Sequence, residues 1–299
     1  MSLSNILRRQ GLAFSGLALI FILLAAMFES GNPGFEAVVL ATLIFVLGIP
    51  HGALDVIFAK RLYRLTSLGR WSVFCLAYVS LAAAVVGFWW VFPATFLILF
   101  LVVSAFHFSG DLDDGTSVLM RVWYGGSMLV FPAWFHEAEV TRLFSALVPG
   151  DAATTLAHVL HVMAMPWCVG LSVTLIVQWR RHWVTGVEVT CVSLLAMVAP
   201  PLLSFTVFFC AMHSARHVIR SRAFAADLAW RDLLKKAGAP MGVCVLAGVL
   251  LWPMMKDLPL DTAVVKILFV ALAALTVPHM VLIERVRWGG WAGTKPQGV

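Results

Sequence analysis

The chain has 299 residues, of which 61% are apolar and only 12% charged, with a net charge of +6. Soluble domains carry about a quarter charged residues, so a chain with mean hydropathy +0.94 lacks the polar surface to coat a water-soluble globule. Secreted disulfide scaffolds, disordered tails and cytosolic enzymes are excluded, which leaves an all-α, polytopic transmembrane helix bundle.

A spanning helix needs about 20 apolar residues, and the sequence predicts ten: 11–28, 35–59, 71–91, 93–109, 118–135, 152–178, 183–199, 201–219, 240–255 and 262–283. The first follows Arg8 and Arg9. Its apolar run is too long for a signal peptide and no small-residue cleavage site follows, so it reads as a retained helix. Phe92-Pro93 and Pro200-Pro201 divide otherwise continuous apolar sequence, because proline punctuates helices.

Charge placement tests the count. With a cytoplasmic N-terminus, ten crossings put all but three of the 21 Lys and Arg on the inner side, the exceptions being Arg142, Lys256 and Lys266. That is the asymmetry of the positive-inside rule. Both termini are then cytoplasmic, and residues 1–299 form a single integral-membrane domain, multi-pass in a cell membrane of bacterial inner-membrane type. Residues 220–239 (containing AFAADLAWRDLLKK) read as an amphipathic interfacial helix, and 136–150 as its counterpart on the outer face. The net charge belongs to cytoplasmic loops. There is no Gly-rich phosphate loop or basic-aromatic platform, so no nucleic-acid partner is expected. Cys75, Cys168, Cys191, Cys210 and Cys244 form no C-x-x-C pair and read as small buried hydrophobes.

The nine histidines sort by depth. His51, His107, His213, His217 and His279 fall near the ends of the second, fourth, eighth and tenth segments, which run outside to inside and finish in one leaflet. Polar side chains within a bilayer are costly and mark function by default, and neutral imidazole is a common ligand for zinc, copper, iron and nickel. His213 and His217, spaced i,i+4, share a helix face about one turn apart. Asp55 and Asp111 each lie four residues after a histidine and are candidates to orient a ligating imidazole through its second ring nitrogen. Pro50 kinks the second segment, and Gly48 with Gly52 forms a small-x-x-x-small pair that permits close helix approach. Phe106, Phe108, Phe208, Phe209, Tyr63, Trp123 and Tyr124 supply aromatic surroundings, some able to stack on a flat apolar substrate. His158 and His161, spaced i,i+3, sit across the membrane from this layer and read as interhelical hydrogen-bonding groups, with a second metal site as the alternative. His136 and His182 fall in loops.

PHGALD at Pro50–Asp55, AFHFSGDLD at Ala105–Asp113 and MHSARH at Met212–His217 together resemble the Brp/Blh family of membrane β-carotene 15,15′-dioxygenases over essentially the whole chain. The resemblance implies Fe(2+) held at His51, His107, His213 and His217. It also implies Asp55 as an orienting carboxylate, and dioxygen-dependent cleavage of β-carotene at its central double bond to two retinal molecules. His279 is carried only as a supporting or substrate-pocket candidate, and Asp111 only as a candidate orienting carboxylate. Ser109 and Ala215 depart from the family pattern without touching a proposed ligand. Implied partners are the lipid bilayer and, as product acceptor, a retinal-binding rhodopsin.

Two other readings use the same residues. A di-iron desaturase or hydroxylase needs more histidines in paired boxes than these five and more carboxylates. A metal or proton transporter needs polar groups through the full membrane depth, whereas here they crowd one side.

Overall fold

The structure is a computed structural model that describes residues 2–28, 31–112 and 115–288. Asp113 and the C-terminal residues, with the terminus expected in the cytoplasm, lie outside that set. Helices account for every regular element among the described residues. The first is α1 (Leu3–Met27), capped by the Ser2 hydroxyl, which accepts from the Asn5 amide. A second rod is built from α2 (Pro33–Leu43), a π-helical turn Ile44–Gly48, the short α3 (Pro50–Ala53) and α4 (Asp55–Leu62). Then come α5 (Leu68–Val91), α6 (Pro93–Ser109), α7 (Val118–Phe135) and the short α8 (Glu137–Ser145). They are followed by α9 (Ala152–Arg181), α10 (Trp183–Val198) and a further composite rod: α11 (Pro201–Val207), the π-helical turn Phe208–Ser214 and α12 (Ala215–Phe224). Last come α13 (Trp230–Leu251), which ends in a 3₁₀ turn, and α14 (Leu260–Trp288).

Seven stretches are long and apolar enough to cross a membrane: Leu3–Met27, Pro33–Leu62, Leu68–Val91, Ala152–Arg181, Pro201–Phe224, Trp230–Met255 and Leu260–Val286. The other three expected spans are helical but fall short for identifiable reasons. Helices α6 and α10 are apolar but only 17 and 16 residues long. Arg121, Gly125, Gly126 and Ser127 dilute the hydropathy of α7.

The proline breaks form where the sequence places them, with Pro93 and Pro201 opening α6 and α11 at the first helical turn, where the missing N–H costs nothing. The expected interfacial helix over 220–239 does not form as a separate element. α12 runs on to Phe224, and Arg231, Asp232, Lys235 and Lys236 lie in the first turns of α13. That helix continues through Pro240, so the ninth expected segment starts ten residues early. On the other side, part of 136–150 does form a separate helix, α8.

The interior is built by α7, α10 and the Phe208–Ser214 turn, with Tyr124, Phe131, Val189, Leu195, Phe208 and Met212 essentially inaccessible. Helix α5, by contrast, buries none of its residues and presents Val73, Leu76, Val79 and Trp90 outward, the surface of a helix solvated by lipid.

Candidate metal centre

Two π-helical turns lie against each other at the centre of the bundle and set the position of the first histidines. In a π turn the hydrogen bond spans five residues, as from the Ile49 amide to the Ile44 carbonyl at 3.0 Å; such insertions recur at functional sites. The Ser214 hydroxyl donates across to the carbonyls of Leu47 (2.8 Å) and Gly48 (3.0 Å). The contact is tight because Gly48 has no side chain: a Cβ there would stand 2.4 Å from Phe209 Cε1. Gly52, its expected partner, has open space instead, so Gly48 alone makes the close approach.

All five histidines of the inner layer gather here. His51 comes from α3, His107 from α6, His213 from the second π turn, His217 from α12 and His279 from α14. Ring centroids lie 4.4 Å apart for His107 and His213, 5.1 Å for His51 and His213, 5.4 Å for His51 and His217, and 5.1 Å for His217 and His279. Ring nitrogens of His51, His107 and His279 all lie within 4.8 Å of one another. Nε2 of His107 and His213 are 2.9 Å apart, the spacing of two neighbouring ligands each about 2.1 Å from one ion.

Three of the rings are fixed through Nδ1. His279 Nδ1 donates to Asp55 Oδ1 at 2.7 Å, His213 Nδ1 lies 3.1 Å from both oxygens of Asp111, and His51 Nδ1 donates to the Gly48 carbonyl at 2.6 Å. Carboxylate and carbonyl oxygens only accept, so each neutral ring carries its proton on Nδ1 and presents a lone pair at Nε2. Both aspartates serve a histidine on another element rather than the one four residues away. The His279 Nε2 atom is buried with no hydrogen-bond partner among the described residues. An orphaned imidazole nitrogen inside a bundle is costly, and a cation at the shared focus of these lone pairs would satisfy it. The donor set fits a divalent first-row metal.

Tyr78 of α5, which the sequence reading passed over, donates its hydroxyl to Asp55 Oδ2 at 2.9 Å. A signal was present: it is one of three tyrosines in the chain and sits mid-span in α5. His279, carried as a supporting residue, stands among the central rings.

An apolar cleft begins at His107 and runs along α6 to Leu97, with Leu147, Phe205, Phe209 and Phe269 among its walls. Ten residues of helix make it roughly 15 Å long. Of the expected aromatic surroundings, Phe108 and Phe209 line it. Phe208 and Tyr124 are fully buried packing residues, Phe106 is half exposed, and Tyr63 meets the Arg285 side chain. Trp123 packs edge-on against Trp167.

The remaining histidines lie elsewhere. His158 and His161 stack with centroids 6.0 Å apart and share the Glu137 carboxylate, at 3.1 and 3.0 Å. His136 Nε2 lies 3.2 Å from the Met197 carbonyl, and His182 sits at the break between α9 and α10.

Fold and site together define a class of protein: a polytopic membrane protein with a buried imidazole cluster opening onto an apolar cleft. A family model described as β-carotene 15,15′-dioxygenase matches residues 42–287, a range that contains all five clustered histidines. The chain is 31% identical over 268 residues to a β-carotene 15,15′-dioxygenase of the uncultured marine bacterium 66A03, covering 82% of this chain and 91% of that one. It is 24% identical over 282 residues to the probable β-carotene 15,15′-dioxygenase Blh of Halobacterium salinarum, covering 80% of each. No solved structure matches the chain. The chain belongs to the β-carotene 15,15′-dioxygenase family, and membership makes it a carotenoid-cleaving dioxygenase.

Proposed function

We propose that this protein cleaves β-carotene at the central 15,15′ double bond, using one Fe(2+) held by His51, His107, His213 and His217 together with His279. The observation that carries this reading is the convergence of imidazoles from separate helices, three of them with Nδ1 anchored and Nε2 turned inward. His279 is promoted from supporting residue to ligand on its orphaned Nε2. Bound iron supplies dioxygen activation, which a site of neutral nitrogen ligands supports when a coordination position stays free.

The chain's own residues do the rest. Asp55 and Asp111 keep the proton on Nδ1 of His279 and His213, and Tyr78 holds the second oxygen of Asp55. The cleft along α6 takes one half of the polyene, its walls of Phe205, Phe209 and Phe269 packing on a flat conjugated chain and excluding water. Since His107 sits at the inner end of the cleft, the polyene's midpoint lies at the imidazole cluster and symmetric cleavage follows.

The full assignment has ten spans with both termini cytoplasmic in a single membrane domain of a bacterial inner membrane. The helices at all ten apolar stretches and the one-sided basic residues support it. The imidazole layer then lies near the cytoplasmic leaflet, from which the product aldehyde passes through the bilayer to a retinal-binding rhodopsin.

Anaerobic purification with metal analysis, followed by β-carotene and oxygen, tests the proposal. One iron per chain and retinal as the sole carotenoid product are expected. Two irons per chain would favour the di-iron reading, and longer apocarotenals would move the polyene's position in the cleft.

A further inference from the structure

Between the two histidines of MHSARH lies Arg216, whose side chain is only 6% exposed and pairs with Glu188 of α10, 4% exposed. The pair is bidentate: Nη2 donates to Oε1 at 2.8 Å and Nη1 to Oε2 at 3.2 Å. Glu188 fits because residue 11 is glycine; a Cβ there would stand 1.6 Å from Glu188 Oε1. Arg216 Nε donates to Gln10 Oε1 at 3.0 Å, and Gln10 Nε2 donates in turn to the Ala211 carbonyl at 2.7 Å, inside the π turn that carries His213.

A buried ion pair is a poor stabiliser: well-packed apolar side chains in its place are often as stable or more so, and charge within a membrane bundle is costly. What distinguishes this pair is its second set of contacts. Arg216 Nη1 also donates to the Asp111 carbonyl at 3.0 Å. Arg220 donates to the carbonyls of Gly110 (2.7 Å) and Asp111 (3.2 Å), and Arg121 Nε to that of Ser109 (3.0 Å). The last carbonyls of a helix have no partners of their own and carry its negative dipole end. Three arginines therefore hold the residues that close α6, from Ser109 through the cap Gly110 to Asp111, whose carboxylate meets His213 Nδ1.

We propose that Arg216, oriented by Glu188, is a positioning residue for the metal centre: it fixes the α6 terminus so that the Asp111 carboxylate holds His213 with Nε2 turned toward the ion. Among the described residues, the hydrogen bonds of Arg216 go to Gln10, Glu188 and the Asp111 carbonyl, and it acts on His213 through Asp111. The inference rests on the metal-centre reading above.

Anaerobic titration of the full chain in detergent with Co(II), followed by its visible d–d absorption, tests it without catalysis. The double variant Glu188→Leu/Arg216→Met removes both charges together and so leaves neither one stranded. It is expected to keep wild-type helical content, to weaken Co(II) binding by on the order of 10–100-fold, the effect of losing an outer partner of a ligand, and to shift the absorption bands. Adding Asp111→Asn to it should weaken binding no further, because both changes break the same hold on His213. Wild-type affinity and bands in the double variant would overturn the proposal, as would full multiplication of the two losses. If the double variant does not fold, Arg216→Lys keeps the charge but loses the planar fork; weakened Co(II) binding supports the clamp and unchanged binding overturns it. No Co(II) uptake by the wild type would overturn the metal centre and the clamp together, whereas wild-type uptake with an unaltered variant overturns the clamp alone.

Discussion

The molecule holds two groups of histidines, and they are built differently. His158 and His161 stand on one helix, with side chains 64% and 36% exposed, both with Nδ1 beside the single Glu137 carboxylate, and His161 Nδ1 also at the Ala133 carbonyl. The inner five come from five elements, three of them spending Nδ1 on a separate acceptor group each and leaving Nε2 for a common focus. The outer pair is complete as hydrogen-bonded side chains. The inner group leaves at least one buried nitrogen, His279 Nε2, unsatisfied. Imidazoles read as a metal site when they are buried, held through one nitrogen and convergent through the other.

The largest effects are expected inside. His107→Ala and His279→Ala should each abolish metal retention and carotenoid cleavage together, measured by metal analysis of purified protein and by retinal yield. Full metal content in His279→Ala would return that residue to a supporting role. Asp111→Asn and Asp55→Asn come next: each replaces a charged two-oxygen acceptor by a neutral amide with one acceptor and one donor, loosening the hold on a ring's Nδ1 proton, with roughly 10–100-fold weaker metal binding by titration. Gly48→Ala tests packing, since its methyl would meet Phe209 at 2.4 Å; overpacking costs about 1–3 kcal/mol, visible as a lowered thermal midpoint. Tyr78→Phe removes one hydrogen bond to Asp55 and, at about 1 kcal/mol, should weaken metal binding less than tenfold. His158→Ala and His161→Ala should leave metal content unchanged and stability within about 0.5 kcal/mol. Metal loss there would erase the distinction between the two groups.

Much of the inner group was legible in the sequence because polar residues stand out against apolar helices. Five histidines at one depth, and the aspartates near two of them, need no coordinates to be noticed. Pro93 and Pro201 likewise mark helix starts by a local rule. What the sequence did not carry was partnership across helices. Asp55 serves His279, 224 positions away, and Asp111 serves His213, 102 positions away; such pairings depend on packing and have no periodic signature. Tyr78 and Glu188 were missed for the same reason, although a lone polar group in an apolar span is itself a signal. The interfacial helix was misplaced because the charged turns around Arg231 and Lys235 read as amphipathic by pattern, whereas they continue directly into the apolar length of α13.

X-ray absorption of the iron-loaded wild-type protein tests the convergence most directly. A single nitrogen and oxygen shell with the multiple scattering of several imidazoles, lost in His107→Ala and kept in His158→Ala, is the expected result. A shell containing sulfur, or imidazole scattering that disappears with His158 and survives without His107, would contradict it.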